Sequence, residues 1–308
     1  MLEIIRAGIQ TTVQDQGRSG FRNMGVAQSG ALDAPAMWLA NRLVNNAGTA
    51  AGLEVVAGPV EIRFLRAGWF ALCGADFEAT LDEQPLFCGW RYPVKEGQKL
   101  RLRGPKSGMR TYLAVDGGIN VPVVMDSRST DVGAGFGGHK GRALRNGDRL
   151  PLGETFLLNN KLGTPQRRWT PEVRVLRGPE FEQFDEVSQQ HFFKQAWTVS
   201  PQSNRMGYRL QGTALQRNDP SELLSHGVLP GVVQVPPNGQ PIVLLADSQT
   251  TGGYPRIAVV IAADLWKLAQ APAGRQFCFV ETDLDGAKAA RQQWQNELYR
   301  FEWSLYGK

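Results

Sequence analysis

Glycine and proline decide what this chain can become. The 308 residues include 35 Gly and 18 Pro, with no fixed G-x-y period. A collagen-like repeat is excluded, and so is a fold built mainly from long helices. Residues that break helices and serve turns this often favour many short strands with tight connections. Hydrophobic residues at 42% and charged residues at 20% form an ordinary globular balance, which excludes a disordered chain. At about 150 residues per domain, the length suggests two domains.

The local patterns agree with a mainly β chain. Leu53–Val56 and Glu61–Phe64 flank Gly58-Pro59, and Leu100-Arg101-Leu102-Arg103 alternates apolar and basic residues as a half-exposed strand does. Thr111–Val115 runs into the turn Asp116-Gly117-Gly118, and Asn146-Gly147-Asp148 marks another turn. Helices are few. Asp33 is a good N-cap with Pro35 just inside, and Ala36, Leu39, Ala40, Leu43 and Val44 recur at helical spacing until Asn45–Gly48 ends the run. Two further helices are expected at about 180–194 and 285–298. The polar stretch Asn159–Arg168, broken by Gly163 and Pro165, reads as a boundary between a β-rich domain at 1–165 and a second at 166–308. A short echo spans that boundary: Leu53–Pro59 resembles Val173–Pro179, each with a Phe five residues after the Pro (Phe64, Phe184).

Several function classes are excluded. The N-terminus lacks a basic segment followed by an apolar one, and Ile257–Ala263 is far too short to span a bilayer, which takes about 20 apolar residues. No membrane association is expected. Cys73, Cys88 and Cys278 form no C-x-x-C and read as reduced thiols of a cytoplasmic protein. With only His139, His191 and His226, no metal-ligand spacing emerges. The net charge of +5 comes from dispersed basic residues, mostly arginine. That dispersion argues against nucleic acid and suits small anionic ligands bound by guanidinium forks.

The glycine-rich run Gly133-Ala134-Gly135-Phe136-Gly137-Gly138 matches G-x-G-x-x-G but has no strand directly before it and no helix after it. The dinucleotide-binding reading is therefore rejected. The run is expected to be a loop between strands, with Arg128, Lys140 and Arg142 as potential anion contacts. Gly104-Pro105-Lys106-Ser107-Gly108 lacks the glycine spacing and following helix of a phosphate-binding P-loop. His226 sits in a turn before a strand, where a surface role and a catalytic one are both open.

The richest segment is Gly231–Ile257. Two strands around Pro236-Pro237-Asn238-Gly239 deliver Asp247 to a loop in which Asp247, Gln249, Thr250 and Thr251 crowd together before Gly252-Gly253-Tyr254-Pro255. Such a loop offers a carboxylate, amides, hydroxyls and backbone N–H groups to a small polar ligand. A second cluster, Ser203–Arg209, carries two arginines, and in a loop followed by a strand both Arg205 and Arg209 could reach one anion.

Val13-Gln14-Asp15-Gln16-Gly17-Arg18 followed by Ser29-Gly30-Ala31-Leu32-Asp33 resembles the N-terminal signature of the allophanate hydrolase subunit 2 family, also called the KipA or biotin-dependent carboxyltransferase-like family. Tyr112–Gly118, Ser127–Thr130, Ser203–Leu210 and Gln249–Pro255 match its further blocks in order, across nearly the whole chain. The resemblance implies a cyclophilin-like β-barrel architecture. It also implies membership of an ATP-dependent 5-oxoprolinase complex that opens 5-oxo-L-proline to L-glutamate. The implied partners are the B subunit of such a complex, of the allophanate hydrolase subunit 1 type, and its A subunit, with ATP and magnesium as co-substrate. With no biotin-carrier segment in the matched length, no biotin is expected. A biotin-dependent carboxyltransferase component, and a regulatory protein antagonising a KipI-like kinase inhibitor, are the alternatives. On motif position and chemistry together, Arg205 and Arg209 are assigned to anion binding and Asp247 to a general base or magnesium ligand. Gln234, Gln249, Thr250, Thr251 and Tyr254 are assigned to substrate positioning.

Overall fold

The structure, a computed structural model, describes residues 1–155, 158–218 and 223–306. The chain divides into two compact units. The first comprises Met1–Ser19 and Ser29–Arg168; the second comprises Gly20–Gln28 and the chain from Trp169 onward. A linear boundary at 165/166 does not describe the nine residues Gly20–Gln28, which leave the first unit and return to it.

The first unit contains two antiparallel sheets. One runs Arg149–Leu150, Leu2–Arg6, Val60–Phe64, Lys99–Leu102, Thr80–Leu81, Gln84–Pro85; the other runs Gln10–Gln14, Gly52–Val56, Ser107–Val115, Gly68–Asp76, Trp90–Val94. A strand turns alternate side chains to opposite faces. Thus Val60, Ile62 and Phe64 from one sheet, and Val13, Leu53, Val55, Phe70 and Leu72 from the other, meet in one buried core. The helix Ala34–Leu43 forms where Asp33 and Pro35 predict it. The Asp33 carboxylate accepts the Ala36 amide at 3.0 Å, which satisfies one of the N–H groups that the first turn leaves unpaired.

The second unit is built on a closed barrel of seven strands. Their order is Glu172–Arg177, Arg256–Val260, Val232–Gln234, Ile242–Leu244, Gly207–Gln211, Trp197–Val199 and Gln276–Glu281. Closure comes from parallel pairing of Glu172–Arg177 with Gln276–Glu281, Val173 opposite Phe279. The helix Glu186–Lys194, capped by Asp185 through the Ser188 amide, presents Phe192. That ring stacks on Phe279 at 4.6 Å and lies 6.3 Å from Trp197. The expected third helix is longer than its sequence pattern, running Leu284–Tyr306, and a short helix at Leu265–Ala269 carries too few residues for a periodic signal. The echoed segments lie in different architectures, Gly52–Val56 in a sheet of the first unit and Glu172–Arg177 in the barrel, and Phe64 and Phe184 are both buried. No helix among the described residues is long and apolar enough to cross a membrane.

Two guanidinium–carboxylate forks brace the barrel. Arg174 donates Nε and Nη2 to Asp264 at 2.9 and 2.7 Å, and Arg256 does the same to Glu180 at 2.8 and 2.6 Å. Burial alone would raise both carboxyl pKa values, but the arginine hydrogen bonds outweigh it and hold them below the ordinary 3.8 and 4.5. A depressed carboxyl pKa contributes stability that is present above the unfolded value and is lost as pH falls through the folded one.

Two outcomes follow. Stability is flat near neutrality and falls as pH drops below about 4, with urea unfolding monitored by tryptophan fluorescence as the readout; equal stability at about pH 6 and about pH 3 would contradict it. Asp33→Ala costs about 1 kcal/mol by the same assay, and no loss would remove the cap from the account.

Candidate functional site

The segment from Val232 to Ile257 folds as its pattern suggests, but its polar residues part company. Val232–Gln234 and Ile242–Leu244 are adjacent barrel strands, and the chain beyond Leu244 descends beside the loop that precedes Gly207. There Leu245 and Asp247 donate backbone N–H groups to Met206 and Arg205 carbonyls at 3.0 and 3.1 Å. Arg205 clasps the Asp247 carboxylate with Nε to Oδ2 at 2.8 Å and Nη2 to Oδ1 at 2.9 Å, both side chains buried at 4% and 7% exposure. The pair holds the two loops together, each Asp247 carboxylate oxygen taking one guanidinium N–H. Arg209 lies exposed on the barrel strand between the buried Tyr208 and Leu210. The expectation that Arg205 and Arg209 converge on one anion is therefore corrected: one side chain is locked inside and the other faces out.

Beyond Asp247 the loop reaches a small two-stranded antiparallel ladder in which Thr251–Gly252 pairs with His226–Gly227. Gln249 and Thr251 are exposed there, and the Thr250 carbonyl accepts the Val228 amide at 3.0 Å. The following turn brings two of the expected substrate-positioning residues together. Gln234, buried at the end of its strand, donates its side-chain amide to the Tyr254 carbonyl at 3.3 Å. Gly252 passes so close that a Cβ would stand 2.9 Å from the Gln234 amide nitrogen. Tyr254 is 46% exposed and, with Gly253 and Pro255, forms one wall of a cavity of about 580 Å³. Among the described residues, Val235–Pro237, Phe184, Leu215–Arg217 and Leu223 also line it. Apolar walls with a few polar groups and a volume in this range suit a small organic ligand. Behind the wall, the fork between Arg256 and Glu180 fixes the strand that follows Pro255.

A second polar constellation, in the first unit, was visible only as separate family blocks. The buried Asp15 carboxylate accepts hydrogen bonds from Ser127 Oγ at 2.6 Å, Ser129 Oγ at 2.5 Å, the Gly17 amide at 2.8 Å and the Arg128 amide at 2.5 Å. Arg18, 1% exposed, donates to the Ser129 carbonyl and stacks over the Phe136 ring at 4.5 Å. The glycine-rich loop is thus packed on this network rather than open to a ligand. A Cβ on Gly137 would collide with the Ser129 carbonyl and the Arg18 guanidinium, and one on Gly138 with Thr130; both residues hold positive φ. Of the anion contacts proposed for that loop, Arg142 is forked onto Asp148 at 2.7 and 2.9 Å, and Arg128 is bonded to the Val121 carbonyl. Lys140 is exposed. Burial pushes the Cys88 thiol up to about 12, which makes it a poor nucleophile. Among the described residues, no group of three or more His, Cys, Asp or Glu side chains is placed to hold a metal ion.

Removing one partner of a buried, hydrogen-bonded ion pair strands the other charge. Asp247→Ala is accordingly expected to lower stability by about 3 kcal/mol in urea unfolding, whereas an exposed Arg209→Ala changes it by less than about 0.5 kcal/mol. Equal effects would contradict the placement of the two arginines.

Comparison with known proteins places the fold. The family described as "Carboxyltransferase domain, subdomain A and B" matches residues 24–281. The chain is 53% identical to the 5-oxoprolinase C subunit of Escherichia coli K12 over the full length of both. It is 40% identical to the 5-oxoprolinase C subunit of Haemophilus influenzae, covering 97% of this chain and 96% of that one. In three dimensions it resembles the Kluyveromyces lactis urea amidolyase with a TM-score of 0.91 at 28% identity, over 97% of this chain but only 20% of that much longer one. The chain belongs to the carboxyltransferase-domain family, subdomains A and B.

Proposed function

We propose that this chain is a component of a 5-oxoprolinase, working with companion subunits on the cyclic amide of 5-oxo-L-proline. The observation that carries the reading is the 53% identity, end to end, with the E. coli protein of that name. The cavity beside Tyr254 supports it chemically. A five-membered lactam needs apolar walls for its ring methylenes and a few fixed polar groups for its amide and carboxylate. Val235–Pro237 and Phe184 supply the walls; Gly253, Tyr254 and the Gln234 amide behind them supply the polar edge.

An unstrained amide is a poor electrophile. Transfer of the ATP γ-phosphoryl group to the lactam oxygen, with ADP leaving, makes the ring carbon susceptible to water. A first water adds there as the ring nitrogen departs, and a second releases phosphate, leaving L-glutamate. In this reading ATP enters with magnesium, the B subunit, of the allophanate hydrolase subunit 1 type, shares the phosphorylation, and the A subunit completes ring opening, all in the cytoplasm. Gln234 and Tyr254 orient the substrate, and Gln249, Thr250 and Thr251 line its approach. Asp247 and Arg205 hold the loop that carries them. Their mutual pairing makes them positioning residues, and Arg209, on the outer face, is left for contact with a companion subunit.

A second reading has its own support: the likeness to the urea amidolyase of K. lactis extends over nearly this whole chain. Urea and 5-oxoproline share an N–C=O group, so one cavity chemistry could serve carboxyl transfer to nitrogen as well as activation of oxygen.

The two are separated by measuring ADP release from this chain mixed with its companion subunits. ADP release that requires 5-oxo-L-proline, and is lost when this chain is omitted, is the expected result. Indifference to the lactam, or dependence on bicarbonate and a biotinylated partner, would replace this reading with the second. Tyr254→Ala in the same assay is expected to raise KM for the lactam about tenfold, equivalent to about 1.4 kcal/mol; an unchanged KM would move the substrate out of this cavity.

A further inference from the structure

Several arginines that the barrel unit buries or half-buries meet an acid: Arg174 meets Asp264, Arg205 meets Asp247 and Arg256 meets Glu180. Arg22 is different. It belongs to Gly20–Gln28, the segment that joins this unit from far away in sequence. A single nitrogen, Nη2, donates to two carbonyls, Val228 at 2.7 Å and Gln249 at 2.9 Å. Nε and Nη1 are buried and have no acceptor among the described residues. Burial alone acts on its pKa, pushing it down, with no carboxylate among the described residues to offset the cost. A half-buried guanidinium with two shielded, unmatched donors and no counter-charge among the described residues is an arrangement that folded proteins avoid unless something completes it.

The ladder of His226–Gly227 with Thr251–Gly252 and the residues flanking it hold two more incomplete groups. His226 lies two residues before Val228, on the strand paired with Thr251–Gly252. Its Nδ1 is 3.1 Å from the Leu224 carbonyl, so Nδ1 carries a proton, and its Nε2 is buried without a partner among the described residues. Ser248, directly before Gln249, is fully buried, and its hydroxyl likewise has no partner among them. The flanks of the ladder reach the surface, with Leu224 92% and Leu229 61% exposed. Thus three donors or potential donors, one from Gly20–Gln28 and two from the segments around 226 and 248, lie beside one small two-stranded ladder. An oxyanion would satisfy Arg22 and Ser248, since guanidinium and hydroxyl both donate to carboxylate or phosphate oxygen, and His226 Nε2 joins them when the ring carries a second proton.

We propose that Arg22, with His226 and Ser248, forms a binding site for an oxyanion, a carboxylate or a phosphate, beside the two-stranded ladder that bears Thr251–Gly252. The oxyanion class follows from these donors alone. Only the choice of the substrate's own carboxylate as occupant rests on the function proposed above.

The test is calorimetric titration of the purified chain, alone and assembled with its companion subunits. The probes are 5-oxo-L-proline, pyrrolidin-2-one (the same lactam without the carboxylate) and inorganic phosphate. Arg22→Met is expected to weaken an oxyanion probe at least about tenfold while leaving pyrrolidin-2-one unchanged. Loss confined to 5-oxo-L-proline identifies the substrate carboxylate; loss confined to inorganic phosphate identifies a phosphoryl group. Should Arg22→Met fail to fold, Arg22→Lys, which keeps the charge but loses the planar fork, and His226→Gln carry the same expectation. Oxyanion affinities that match wild type in the folded variants, or a wild-type chain that binds neither oxyanion probe, overturn the site. Oxyanion binding that depends on Arg22, found together with ADP release indifferent to the lactam, keeps the site and discards the proposed reaction.

Discussion

Everything in the barrel unit depends on one parallel pairing. Without the contact of Glu172–Arg177 with Gln276–Glu281, the sheet would end in two open edges, each a row of unpaired N–H and C=O groups. Closure abolishes those edges and forces alternate side chains inward, where Phe277, Phe279, Trp197 and Phe192 fill the space. A filled barrel is stiff, so polar loops at its ends inherit fixed positions. The turn carrying Gly253, Tyr254 and Pro255 owes its place to the strands on either side of it, not to any contact with a ligand.

The first unit uses a different device. Asp15 draws four hydrogen bonds onto one carboxylate, two from serine hydroxyls and two from backbone amides. A carboxylate so surrounded can be buried without a full counter-ion, because the donors replace the water it gave up. Arg18 and the paired glycines Gly137 and Gly138 are then packed around it. A loop whose glycines resemble a nucleotide-binding pattern is packed against a network around a buried charge.

How much of this could be read from the chain follows the distance between partners. The helix Ala34–Leu43 announced itself because its cap, Asp33, and its first proline, Pro35, are local signals. The mainly β character was legible for the same reason, turn residues acting on their immediate neighbours. The clustering of Gln234 with Tyr254 was half legible, since both fall in one segment. The Asp15 network was not, because Ser127 and Ser129 lie 112 and 114 residues away and nothing in the sequence states the pairing. Arg205 and Asp247 were singled out separately, as an anion binder and as a base or magnesium ligand, and only coordinates show that they pair with each other. Arg22 escaped entirely. It sits in a stretch with no periodicity, and its partners lie 206 and 227 residues on.

That detour at Gly20–Gln28 has a consequence for how the protein is made. The ribosome releases these nine residues well before any barrel strand exists. Arg22 must then wait for the 206 and 227 residues of later synthesis that bring Val228 and Gln249. The barrel unit is therefore not a cassette that can be lifted out by cutting the chain at one place. A fragment that begins at Trp169 would leave the two-stranded ladder without its clip, while supplying Gly20–Gln28 as a separate peptide, or by circular permutation, would return it.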